Sequence, residues 1–263
     1  MPLLISRARH VLQPLKPLAL SVGFSFVVPV RLYSTPQPGH ASCTRRLIRQ
    51  PSPAASRESP YPVVFLRAKG LGMEEEGEWV EWSSMFAEKG YTSVEIDINS
   101  PSSPSTTTSF SSPEETVSPF KPMITVLSSE IRLLSIPFPP ILIASGSSTL
   151  LAQAYIEDNP SSGLILINPS PDEDPRAKAS DWKWPVFKYE PHFPILVLSD
   201  HEGLNKLSVT NRLVRESGQE PSTGKGWFRR QKGVEMGVVD DLSGGLNERG
   251  RIEVERWMDR QGF

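Results

Sequence analysis

Cysteine, histidine and long apolar runs are all scarce in this chain of 263 residues, and each scarcity removes a class of protein. The single cysteine, Cys43, excludes an internal disulfide and any cysteine zinc cluster. There are only four histidines, His10, His40, His192 and His201, so the last sixty-two residues have none. The apolar run Leu18–Val28 is about eleven residues long, short of the roughly 20 a membrane-spanning helix needs. Pro17 and Pro29 flank it and interrupt any longer helix. No P-loop, dinucleotide glycine fingerprint, zinc spacing or internal repeat is present, so no cofactor or metal is expected. Acids are missing from the first 57 residues, where Arg7, Arg9, Lys16, Arg31, Arg45, Arg46, Arg49 and Arg57 all precede Glu58. Residues 58–263 then hold 30 acids against 20 basic residues, a formal charge of −10. No basic face for DNA is expected there.

An arginine-rich, serine-containing, acid-free N-terminus has the composition of a mitochondrial transit peptide, here residues 1–34. Arg31-Leu-Tyr33-Ser34 is similar to a matrix-protease cleavage site, which points to the mitochondrial matrix. Residues 35–60, rich in Ser, Pro and Arg, read as a disordered linker. Residues 61–263 are expected to form one folded domain, with enough apolar content (38% over the chain) for a sizeable core.

Within that domain strands and helices alternate. Tyr61–Leu66 reads as a short apolar strand. Glu78–Lys89 carries Trp79, Trp82, Phe86 and Ala87 at helical spacing and stops at Gly90. Tyr91–Ile98 alternates like a half-buried strand, and Pro101–Ser112 is a Ser/Thr/Pro loop. A helix is expected over about Pro113–Ile136, then strands over Gly163–Ile167, Pro194–Leu198 and Val234–Val239. Helices are expected around Lys206–Ser217 and Glu248–Arg260. Such alternation implies a mainly parallel sheet with helices on both faces, an α/β class.

The most telling stretch is Ile141-Leu-Ile-Ala-Ser-Gly-Ser-Ser-Thr-Leu-Leu-Ala-Gln-Ala-Tyr155. It reads as an apolar strand, a turn of small residues and an amphipathic helix, followed by the strand that ends at Asn168-Pro169. This segment resembles the nucleophile-elbow region of the α/β-hydrolase superfamily, in which a strained strand-to-helix turn presents a catalytic serine above the sheet. The turn needs positive φ at its tip and small residues two positions to either side. With Gly146 at the tip the flanks are Ala144 and Ser148. With Ser147 there they become Ser145 and the β-branched Thr149, and with Ser145 there one becomes Ile143. Sterics therefore favour Gly146, and glycine cannot attack a substrate. The plainer role of Ser145, Ser147 and Ser148 is a polar turn and helix cap.

The resemblance also implies where the partners of a nucleophile would lie. The family's His-Gly oxyanion motif corresponds to Arg67-Ala68, followed by Lys69-Gly70-Leu71-Gly72. The family acid falls within Ser199-Asp200-His201-Glu202-Gly203, where Asp200 and Glu202 are equally ordinary turn carboxylates. The family histidine follows the last strand, where this chain has Asp240-Asp241-Leu242-Ser243-Gly244-Gly245, with Gly245 at the expected position.

Two functions follow as expectations. One is a mitochondrial α/β-hydrolase-fold protein without hydrolytic activity, acting as a binding or assembly factor for a protein partner or small acyl ligand. Trp82, Trp182, Trp184, Trp227 and Phe228, with the basic-aromatic loop Gly224–Arg230, are its candidate contacts. The other is a serine esterase or acyl hydrolase using Ser147 as nucleophile, His201 or His192 as base and Asp200 as acid.

Overall fold

Runs such as Ile141–Ala144, Gly163–Ile167 and Ile195–Leu198 are apolar at consecutive positions, which suits strands covered on both faces. A computed structural model describes residues 40–71, 73, 77–101, 118–175, 182–190, 192–217, 233–240, 242 and 246–263. It places these runs at the centre of one seven-stranded sheet. The strands are β1 (Ser42–Arg49), β2 (Val63–Lys69), β3 (Ser93–Asn99), β4 (Ile141–Ser145), β5 (Gly163–Ile167), β6 (Ile195–Ser199) and β7 (Val234–Val238). Their spatial order is β1-β3-β2-β4-β5-β6-β7, and only the β1–β3 pair is antiparallel.

Helices cover both faces. On one side lie α2 (Phe120–Leu133), α3 (Ser148–Asp158), α4 (His201–Thr210) and α5 (Arg212–Ser217). There Met123, Leu127, Leu151 and Leu213 pack on Leu142, Leu164 and Val197. On the other side α1 (Val80–Glu88) and α6 (Glu248–Gln261) bring Trp82, Phe86, Trp257 and Met258 onto Phe65, Ile143, Ile165 and Leu196. Strand alternation sends successive residues to opposite faces, which is why two separate cores form. Gly90, at φ +99°, ends α1 where an added Cβ would collide with the Arg57 carbonyl, so the expected helix stop rests on a real steric demand.

Several sequence expectations are corrected. The linker expected over residues 35–60 contains β1, an integral strand of the sheet. Ser-Cys-Thr-Arg-Arg-Leu-Ile-Arg lacks a simple apolar alternation, and its partners lie far along the chain. Arg45 and Arg49 pair with Glu95, which is 2% exposed, and Arg46 pairs with Glu130 at 2.8 Å. The strand expected to end at Leu66 runs on to Lys69, because Arg67 and Lys69 both reach the buried Asp97 of β3. The helix expected over about Pro113–Ile136 runs from Phe120 to Leu133, and residues 102–117 lie outside the described residues.

The helix expected around 206–217 is two helices. Asp200 caps α4, whereas Asn211 is extended and its Oδ1 accepts from the Leu213 and Val214 amides to start α5. Helix α3 is buried on all sides from Ser148 to Ile156, so it is not amphipathic in place. A strap over residues 182–190 crosses it: the Tyr189 hydroxyl donates to Gln153 Oε1 at 3.0 Å, and the Lys188 amide donates to Glu157 Oε1 at 3.1 Å. The transit peptide expected at 1–34 lies outside the described residues.

Candidate functional site

Parallel pairing of β2, β4, β5, β6 and β7 brings their C-terminal ends to one edge of the sheet. The turn from β4 to α3 stands on that edge. Gly146 takes φ +48° there, whereas Ser147 is ordinary helical backbone at φ −65°. The tip of the turn is therefore held in a left-handed conformation that a side chain would strain.

The turn is tied down by its own neighbours. The Gly146 amide donates to the Ile167 carbonyl at the end of β5, at 2.8 Å. The Gly146 carbonyl accepts from the Thr149 hydroxyl at 2.5 Å and from the Ser170 hydroxyl at 3.3 Å. Ser148 is fully buried, and its Oγ accepts from the Ala68 amide at 2.7 Å. That amide belongs to the end of β2, beside the turn, where the sequence resemblance expects an oxyanion donor. Here it is engaged by a hydroxyl of the protein itself. Ser147 is 8% exposed at the first turn of α3.

Asp200 and His201 lie together at the end of β6. Asp200 is the N-cap of α4, and its Oδ1 accepts from the Gly203 amide at 2.6 Å. His201 is the first residue of α4 and is exposed, as is Glu202, which pairs with Lys206 at 2.7 Å one turn on. His192, before β6, is exposed too. With β5 between β4 and β6, the Ser147 turn and the Asp200–His201 pair are two strand spacings apart, roughly 10 Å. Gly245 and Gly72 lie outside the described residues.

Sequence reasoning missed a polar network along the same edge. Ser199 Oγ donates to Asn168 Oδ1 at 2.8 Å, and Asn168 Nδ2 donates to the Leu242 carbonyl at 3.0 Å. Asn168 holds φ +45°, and Asn211 Nδ2 donates to the Ser170 carbonyl at 3.2 Å. The available signal was Asn168-Pro169 after an apolar strand, since asparagine tolerates the left-handed region. Among the described residues no group of three or more His, Cys, Asp or Glu could hold a metal ion.

The tryptophans proposed as exposed contacts are largely internal. Trp82 is 2% and Trp184 7% exposed, and Trp184 Nε1 donates to the Pro171 carbonyl. Trp182 is half-buried, stacked on Trp184 with ring centroids 5.8 Å apart and edge-on to Phe120. Their apolar area is worth more inside, against α2 and α3, than at the surface. Trp227, Phe228 and the loop Gly224–Arg230 lie outside the described residues.

Architecture and elbow geometry together define a class, the α/β-hydrolase fold. MenH from S. aureus superposes with a TM-score of 0.51 at 11% identity, over 84% of this chain and 100% of that one. The apo form of Thermogutta terrifontis esterase 2 superposes with a TM-score of 0.50 at 11% identity, over 88% and 98%. No family model matches the chain. No curated protein matches it either. At these identities the likeness is one of fold.

Proposed function

We propose that this protein keeps the α/β-hydrolase scaffold without its hydrolytic centre and serves in mitochondria as a binding or assembly factor. The observation that carries this reading is Gly146. It holds the positive-φ tip of the strand-to-helix turn, the position from which the fold's nucleophile would project, and it has no side chain. Three further features point the same way. The Ala68 amide is satisfied by Ser148 Oγ, Asp200 serves as a helix cap, and no histidine follows His201 in the sequence. Loss of any triad member leaves only the residual rate that binding and oxyanion contacts supply, about 10³–10⁴ over water. The mitochondrial assignment rests on the acid-free, arginine-rich N-terminus.

A second reading is a serine esterase or acyl hydrolase with Ser147 as nucleophile, Asp200 as acid and His201 as base; His192, the other base the sequence offers, precedes β6 and stands at the opposite edge of the sheet from the turn. It is favoured by one observation: Ser147 stands in the turn itself, at the same sheet edge as His201. Labelling with a fluorophosphonate probe, with Ser147→Ala as control, separates the two. An inactive scaffold gives no labelling of the folded protein. Labelling that vanishes in Ser147→Ala establishes the hydrolase instead.

A further inference from the structure

The two edges of the sheet are built differently. Edge strands expose unpaired backbone groups, and proteins usually blunt them with charges, prolines or bulges. The β1 edge is blunted: its register with β3 shifts between Cys43 and Arg45, and it carries Arg45, Arg46 and Arg49. The β7 edge reads Val-Glu-Met-Gly-Val, with neither proline nor bulge.

Hydrogen bonding fixes which residues of β7 face outward. The Ile195 amide donates to the Gly233 carbonyl and the Val239 amide to the Ser199 carbonyl, so odd-numbered residues face β6. The N–H and C=O groups of Val234, Met236 and Val238 point away from the sheet, and among the described residues nothing pairs with them. Met236 and Val238 are also 44% and 45% exposed. On the other face of the strand Glu235 is paired with Arg260 at 2.6 Å.

We propose that this edge binds the β7 strand of a second copy, antiparallel, about a two-fold axis through Met236. The sequence is self-complementary in that register. Met236 meets its counterpart, Val234 meets Val238 of the other copy, and Glu235 meets Gly237, so no like charges stand opposite one another. Each outward-facing residue exchanges two backbone hydrogen bonds with its counterpart. The result is a continuous fourteen-stranded sheet, with the apolar side chains of Val234, Met236 and Val238 forming one strip across the junction. A partner of different sequence would add a strand too, but nothing on this edge selects one.

The test is sedimentation velocity of the full chain over a concentration series, with Met236→Lys and Met236→Glu. The wild type is expected to dimerise. Each variant alone opposes like charges at the axis and is expected to weaken the dimer at least tenfold. Mixing the two variants is expected to restore a dimer, because Lys then faces Glu. Circular dichroism of each variant checks that the exposed substitution leaves the fold intact. A wild type that stays monomeric overturns the proposal. So does a dimer that Met236→Lys leaves unchanged, or variants that fail to reassociate on mixing.

Discussion

The amide of Ala68 and the hydroxyl of Ser148 are joined by a 2.7 Å hydrogen bond that closes the cleft between the end of β2 and the start of α3. Ser148 is fully buried, so nothing replaces its hydroxyl when it is removed. Ser148→Ala should cost about 1–3 kcal/mol, the penalty of a buried donor left unpaired. Urea denaturation measures it. Hydrolysis of an activated ester should stay at background, because freeing one amide supplies neither nucleophile nor base.

Restoring a serine at the tip should fail in an informative way. Gly146→Ser forces a side chain to φ +48° and should cost about 1–2 kcal/mol. Activated-ester turnover should remain within a few-fold of the wild type. A rise of a hundredfold or more would mean that a general base does reach the turn.

Asp200 and His201 should separate on stability rather than activity. Asp200→Ala removes the cap of α4 and should cost about 1 kcal/mol in thermal or urea unfolding. His201→Ala, at an exposed position, should change stability by less than about 0.5 kcal/mol. Were His201 a general base, its removal would abolish fluorophosphonate labelling while leaving stability untouched.

Strand β1 is held by charge, and Glu95 is the residue at stake. It is 2% exposed and takes both Arg45 and Arg49, with the Ser83 hydroxyl as a further donor. Arg49→Ala should destabilise the fold by about 3 kcal/mol, since part of a buried charge loses its partner. Adding Glu95→Gln should recover some of that loss. Additive effects in this double-mutant cycle would show that the pair is uncoupled.

Cys43 should be a slow thiol. Burial, and next the nearby Glu130 carboxylate, push it up from 9.0 to about 11. Only the thiolate reacts, so at pH 8 a shift of about two units leaves about a hundredfold less of it. Alkylation by iodoacetamide in the folded protein should be slower by about that factor than in the urea-unfolded chain. Equal rates would place Cys43 outside the sheet.

Much of the fold could be read from periodicity. The apolar runs of β4, β5 and β6 and the helical spacing of Trp82 and Phe86 are local signals, and the structure places them as read. The small residues around Gly146 likewise signal a tight turn, because sterics act between near neighbours. Strand β1 was not legible, since its stability comes from Glu95 and Glu130, which follow it by dozens of residues. Nor could the sequence say where Asp200 turns its carboxylate. A carboxylate at a strand end serves as catalyst or as cap according to what folds beside it.

The sequence by itself determined the α/β class, the turn at Gly146 and the absence of any histidine after His201, because these depend on residue type and near-neighbour spacing. Tertiary structure alone decided that Ser148 occupies the Ala68 amide, that Trp184 is internal, and that β7 has an outer edge unpaired among the described residues whereas β1 carries a bulge and three arginines at its edge. Those outcomes depend on which distant segments meet, and burial and pairing energies are set only when they do.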